Sequence, residues 1–160
     1  MKGGKNLEKL RGFEIVKDEH RKHSGEIILP RRGTNSSACY DIHLPVRVCL
    51  APNERKIVDT DLKAFMQSDE RLNIYIRSSI GIKKGVVLTN QVSIIDADYY
   101  SNPDNDGNIK LPIWNTSDET VILEKDERIA QGEFSKYLTT WDDNPRATKR
   151  VGGIGSTGRI

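Results

Sequence analysis

Apolar residues in this chain come in short runs, and turn residues interrupt them before any run could build a core helix. Phe13-Glu14-Ile15-Val16, Val46 to Leu50, Lys56-Ile57-Val58 and Leu72 to Ile76 alternate as half-buried strands do. Ile109 to Trp114, Val121-Ile122-Leu123 and Ile129 to Phe134 read the same way. Pro45, Pro52-Asn53, Asp106-Gly107 and Asn115-Thr116-Ser117 punctuate them. Only Asp61 to Gln67 and Ser78 to Lys84 have room for a helical turn or two. Many short strands at this spacing predict an all-β domain, a sandwich or barrel. Residues 1–11 are polar and charged and read as a loose tail. From Trp141 the pattern fades into a polar, glycine-rich end that cannot pack a core of its own. No internal repeat or linker is visible.

At 160 residues the chain has the length of one domain, able to bury a core without disulfides or a structural metal. A net charge of +2 with 30% charged residues lacks the basic excess of a nucleic-acid binder. The longest apolar runs, Gly85 to Leu88 and Val121 to Leu123, are too short to span a bilayer. The start, Met1 to Lys5, has no apolar segment behind it that would make a secretory signal. Cys39 and Cys49 lie in segments that read as strands, and without export they are expected to be reduced, buried thiols. These features predict a cytoplasmic protein with no membrane or direct nucleic-acid partner.

Several clusters carry possible chemistry. Gly153-Ile154-Gly155-Ser156-Thr157-Gly158 matches a dinucleotide fingerprint, but no helix can follow it to receive a pyrophosphate. It remains either a flexible tail or a phosphate clamp, with Ser156 and Thr157 hydroxyls and the forked cation of Arg150 as donors. Arg77-Ser78-Ser79 follows a strand and is either a solvated terminus or a cradle for several phosphate oxygens. Asp96 follows Ser93-Ile94-Ile95. Burial among those neighbours would raise its pKa and favour a base, the other reading being a turn-initiating aspartate. Asp98 suits a cation or a backbone N–H. His20 and His23 have helix-compatible metal spacing but no third ligand, so solvated histidines are expected. Asn102 to Gly107 starts like a calcium loop whose closing acidic position falls on Ile113, which favours a hairpin loop built from Asx turns.

Taken in order, five blocks resemble the trimeric dUTP pyrophosphatase (dUTPase) family over roughly residues 13–158. They are Ala38-Cys39-Tyr40-Asp41, Arg77-Ser78-Ser79, Asn90 to Tyr99, Glu127 to Gln131, and the glycine-rich end. The resemblance implies a distorted jelly-roll-like β-barrel of many short strands with one short helix, residues 12–141, assembled as a homotrimer with shared active sites. Residues 142–160 would then form an arm closing over the site. It further implies that Asp96 activates the attacking water and that Arg77, Ser78, Ser79 and Gln131 hold the triphosphate. Tyr99 would pack under the deoxyribose, and Asn90 with backbone near Ile94, Ile95 and Lys110 would read the uracil. Arg150, Ile154, Gly155, Ser156 and Thr157 would close over the nucleotide. Magnesium would ride on the triphosphate, with Asp41 reaching it through water. Arg128 could equally be an ion-pair partner for a buried carboxylate.

The chain departs from the family pattern at Cys39 and Ser93, where glycine is usual, and at Ile154, where an aromatic stacks on the base. The last change may cost about 1 kcal/mol by analogy with base–aromatic stacking. Tyr100 to Asp106 is an insertion beside the site. The implied activity is hydrolysis of dUTP to dUMP and pyrophosphate. A related dCTP deaminase would need a glutamate where Pro112 stands, which can transfer no proton. A dUTP-sensing regulatory protein, as some phage members are, would use the insertion as a contact surface for a protein partner.

Overall fold

The computed structural model describes residues 9–146, 150, 152 and 153. Its strands are β1 (Gly12–Ile15), β2 (Arg31–Arg32), β3 (Tyr40–His43), β4 (Val48–Leu50), β5 (Arg55–Asp59), β6 (Leu62–Phe65), β7 (Glu70–Ile76), β8 (Val86–Leu88), β9 (Ser93–Asp96), β10 (Lys110–Asn115), β11 (Val121–Leu123) and β12 (Arg128–Lys136). A single short α-helix, α1 (Ser78–Lys84), follows β7. The strands form four antiparallel sheets: β2-β3-β12-β7-β9, β5-β10-β8, β1-β6 and β4-β11. This is the all-β architecture expected from the spacing of the runs, in the jelly-roll-like form that the family resemblance implies.

The core lies between the large sheet and β10. Leu72, Ile74, Ile129 and Ala130 come from the former, Leu111 and Ile113 from the latter, and all six are fully buried. In β10 they alternate with half-buried neighbours, the period-two pattern of a sheet with one face inward. α1 starts where the extended backbone of Arg77 ends β7, and it stops at Gly85, whose φ of 64° is the left-handed conformation that closes helices. No helix among the described residues is long and apolar enough to cross a membrane.

Four expectations need correction. Asp61 to Gln67 is not helical: β6 runs through it and pairs with β1. Tertiary pairing overrides the helix-compatible composition, since Leu62 and Ala64 are buried. Lys63 is buried too, because its ammonium meets Asp106 at 2.8 Å and lies 4.9 Å from the centre of the Tyr100 ring. The presumed tail is tied down at its end, where Arg11 pairs with the buried Glu70 and the Leu10 carbonyl accepts from Gln67 Nε2. The cysteines are free thiols, but Cys49 is exposed and Cys39 half-buried, just ahead of β3.

The fourth correction concerns the insertion. It does not close a hairpin, because β9 and β10 belong to different sheets. It turns inward as well, with Asn102, Asn105 and Asp106 all buried, so much of it cannot serve as a contact surface. The Asx turns are present: Asn102 Oδ1 accepts from the N–H groups of Asp104 and Asn105, and Asn105 Oδ1 accepts from that of Gly107. Asp106 also accepts from the Lys17 N–H at 2.9 Å.

Lys63 and Asp106 form a buried pair, their side chains 7% and 2% exposed. Burial opposes ionisation of Asp106, but the Lys63 and Lys17 contacts outweigh it and hold the carboxyl below its ordinary value. The stability it contributes is therefore present above the ordinary carboxylate range and lost as pH falls through the lowered folded value. Lys63→Ala should cost about 3 kcal/mol by leaving Asp106 buried and unpaired. Equilibrium unfolding at neutral pH checks this, and an unchanged midpoint would contradict it.

Candidate active site

Two groups of polar residues stand at opposite ends of the large sheet. The first gathers where β3, β12 and the end of β7 meet. Asp41 and Gln131 face each other across β3 and β12, and Gln131 pairs with Tyr75 on the other side. Asp41 is only 8% exposed and both its oxygens are engaged. Arg77 Nε lies 3.0 Å from Oδ1, and Arg128 Nη1 donates to Oδ2 at 3.0 Å. Arg77 Nη1 also donates to the Arg128 carbonyl at 3.2 Å. These contacts fix the guanidinium and still leave part of its five-donor fork for an anion.

Gln131, Arg77, Arg128 and Asp41 line a cavity of about 340 Å³ with Cys39 and Gly33. Ser78 and Ser79 open α1 and are exposed. Their hydroxyls and the first-turn N–H groups stand at the positive end of the helix. The group as a whole is a cationic, donor-rich surface suited to several phosphate oxygens. Arg128 proves to be an ion-pair partner of the buried Asp41, one of the two roles expected for it.

The second group surrounds β9, the edge strand of the same sheet. An edge strand turns unpaired backbone N–H and C=O groups outward, as recognition of a base edge by main chain requires. Ser93 and Ile95 point inward, with Ile94 51% exposed between them. Asn90 sits exposed in the turn before the strand, and Ser93 Oγ donates to its Oδ1 at 3.1 Å. Ser93 thus keeps β9 in register with Ile74 despite replacing the usual glycine, and its hydroxyl orients the Asn90 amide.

Asp96 ends β9 and is not buried among apolar neighbours as expected. Its side chain is 50% exposed and lies 3.1 Å from Arg150 Nη2. Arg150 Nε stands 3.6 Å from Asp98, the cation partner anticipated for that carboxylate. A cavity of about 640 Å³ lies beside Asp96, Asp98 and Arg150, closed by Met66 and Tyr137.

Tyr99 is 6% exposed, and its ring centre lies 5.6 Å from the Arg150 guanidinium carbon. Burial pushes the phenol above its ordinary pKa, offset in part by a hydrogen bond from Asn105. Lys110 opens β10 and pairs through its ammonium with Asp59, which faces it in the neighbouring strand. The Lys110 charge also acts on the Tyr99 phenol, lowering its pKa in part. Ile154, Gly155, Ser156 and Thr157 lie outside the described residues.

Arg77 and the Asp96 end of β9 are far apart within one chain. Arg71 faces Asp96 across β7 and β9, and Arg77 lies six residues further along the same strand direction. At about 3.3 Å per residue that is roughly 20 Å, more than an arginine and an aspartate side chain can close between them.

Among the described residues no three histidine, cysteine or acidic side chains cluster to hold a metal. Asp41, with both oxygens on guanidinium groups, has none to give a cation directly. This donor set fits an ion that travels on phosphate and keeps its water shell, the usual habit of magnesium. His20 and His23 hold no metal arrangement: His23 Nε2 contacts the Asp59 carbonyl at 2.9 Å, and His20 lies 3.6 Å from Glu19. Sequence reasoning missed the Arg150 pairings and the asparagines around Tyr99, which had no motif to mark them.

An all-β domain with a donor-rich cationic surface and an open edge strand has the features that suit binding of a nucleotide. The dUTPase family profile matches residues 25–158. A deoxyuridine 5'-triphosphate nucleotidohydrolase of Lactococcus lactis is 48% identical over 151 residues, 94% of this chain and 99% of that protein. One from Tolumonas auensis is 35% identical, over 84% of this chain and 89% of its own. The crystal structure of dUTPase from Streptococcus mutans superposes with a TM-score of 0.73 at 41% identity, over 81% of this chain and 98% of that one. The chain belongs to the dUTPase family.

Proposed function

We propose that this protein hydrolyses dUTP to dUMP and pyrophosphate, in keeping with relatives named deoxyuridine 5'-triphosphate nucleotidohydrolases. The observation that carries the reading is β9, an open edge with Asn90 before it, Ile94 facing outward, Asp96 at its end and Tyr99 one turn beyond. Asn90 and main chain near Ile94, Ile95 and Lys110 pair with the uracil edge, and Tyr99 lies under the sugar. Asp96 takes a proton from water as the oxygen attacks the α-phosphorus in line. The bond to the bridging oxygen breaks, and pyrophosphate leaves. Arg77, Ser78, Ser79 and Gln131 hold the triphosphate oxygens. Asp41 would reach a magnesium ion carried on the triphosphate through water, and such an ion would supply positive charge that offsets the leaving pyrophosphate.

The distance between the two groups supports sites shared between subunits of a homotrimer, with the phosphate surface of one protomer completed by the β9 corner of another. Residues 142–160 act as an arm over the nucleotide, with Arg150, Ile154, Gly155, Ser156 and Thr157 as its contacts. The fully exposed side chains of Leu138 and Trp141, each 98% accessible, support a partner surface for the segment leading to the arm. Two free thiols suit the reducing cytoplasm.

Pyrophosphate release from each deoxynucleoside triphosphate, with and without magnesium, tests the activity. Release from dUTP should be magnesium-dependent, and dTTP and dCTP should be poor substrates. A site built on hydrogen bonds leaves buried polar groups unpaired against the wrong base. Equal release from dTTP would overturn the proposed base pocket.

A further inference from the structure

The inserted loop grips Tyr99 at both ends. Asn102 Nδ2 donates to the Tyr99 carbonyl at 2.8 Å, and Asn105 Nδ2 donates to the phenol oxygen at 2.8 Å. The phenol in turn donates to the Asn108 carbonyl at 2.8 Å. Asn105 is itself immobilised, because its Oδ1 accepts from Asn102 Nδ2 at 2.8 Å and from the Gly107 N–H at 3.0 Å. Gly107 has a φ of 86°, and a Cβ there would stand 2.8 Å from the Tyr99 carbonyl, so only glycine lets the loop close this tightly. Asn108 is anchored beneath, donating to Asp61 Oδ1 at 2.9 Å. Every one of these asparagines is buried.

We propose that Asn105, carried by the insertion, is a positioning residue for sugar discrimination: it locks the Tyr99 ring in the plane that excludes a 2′-hydroxyl. The inference rests on the assignment of Tyr99 to the deoxyribose. A ring held only by its Cβ can tilt about its side-chain torsions. One also held at the phenol oxygen, by a donor and an acceptor in different directions, cannot. The six-residue span Ser101 to Asp106 therefore acts through Tyr99 rather than by touching nucleotide.

The test is the ratio of kcat/KM for dUTP to that for UTP, measured on the full-length protein. Asn105→Asp keeps the acceptor that holds Gly107 and Asn102 and turns the donor to the phenol into an acceptor, so the phenol oxygen is no longer held by a donor and an acceptor in different directions. Tyr99→Phe keeps the ring and removes both phenol bonds, so it serves even if Asn105→Asp folds poorly. Each should lower the ratio about tenfold. The double variant should lower it no further than Tyr99→Phe alone, because the bond between Asn105 and the phenol is already absent there. Effects that multiply in the double variant would mark Asn105 as merely structural and overturn the proposal. An unchanged ratio in Tyr99→Ala would sink the sugar assignment itself. A ratio that falls in Tyr99→Ala but not in Tyr99→Phe or Asn105→Asp would sink only the role of Asn105.

Discussion

Asp96→Asn is expected to lower kcat for dUTP about 10²–10⁴-fold, the range a general base contributes. The amide keeps the volume of the carboxylate and its place at the end of β9, yet it cannot accept the proton that water must lose. Folding should be little affected, because the side chain is half exposed and makes no core contact. Its ion pair with Arg150 is lost, so Arg150 should be held less firmly, but that alters affinity rather than the chemical step. Steady-state turnover, with calorimetric binding of a non-hydrolysable dUTP analogue, separates the two. Wild-type turnover in the variant would remove Asp96 from its assigned role.

Arg77→Ala should be nearly as damaging, lowering kcat/KM about 10²–10³-fold, the usual loss when a preorganised donor to developing charge is removed. The guanidinium reaches Asp41 and the Arg128 carbonyl at 3.0 and 3.2 Å, so its remaining donors are already aimed before substrate arrives. Arg77→Lys is the informative companion. It restores the positive charge beside Asp41, and with it much of any lost stability, but not the fork that bridges two phosphate oxygens. Activity that returns fully with lysine would mean that charge alone mattered there.

Much of the architecture was legible because burial in a sheet writes itself as alternation. β7, β10 and β12 were all read as strands, and Ser78 to Lys84 was one of two segments with room for a helical turn or two. What misled was local composition without its partners. β6 contains good helix formers, and its strand state depends on pairing with β1 and on Asp106, more than forty residues away in the chain. Asp96 looked buried because two isoleucines precede it. In a strand, however, Asp96 shares the outward face of Ile94 while Ile95 points inward.

The site residues were legible as motifs and not as geometry. Nothing in the blocks around Arg77 and Asp96 reveals that the register of β7 with β9 keeps them apart. The insertion was the least legible part. A run of asparagine and aspartate reads as a solvated loop, and only the fold shows that Tyr99, Lys63 and Asp61 wait inside to pair with it.

The central claim is that a dUTP-hydrolysing site is assembled from the Arg77 surface of one protomer and the Asp96 corner of another. Co-expressing the two inactive variants, Arg77→Ala and Asp96→Asn, under different affinity tags and purifying the mixed oligomers tests it directly. In a trimer that holds both variants, about a third of the sites join an intact Arg77 surface to an intact Asp96 corner across a subunit boundary. The mixed trimers should therefore release pyrophosphate from dUTP at about a third of the wild-type rate. If instead they stay as inactive as either variant alone, both residues serve one site within one chain, and the shared-site account is wrong.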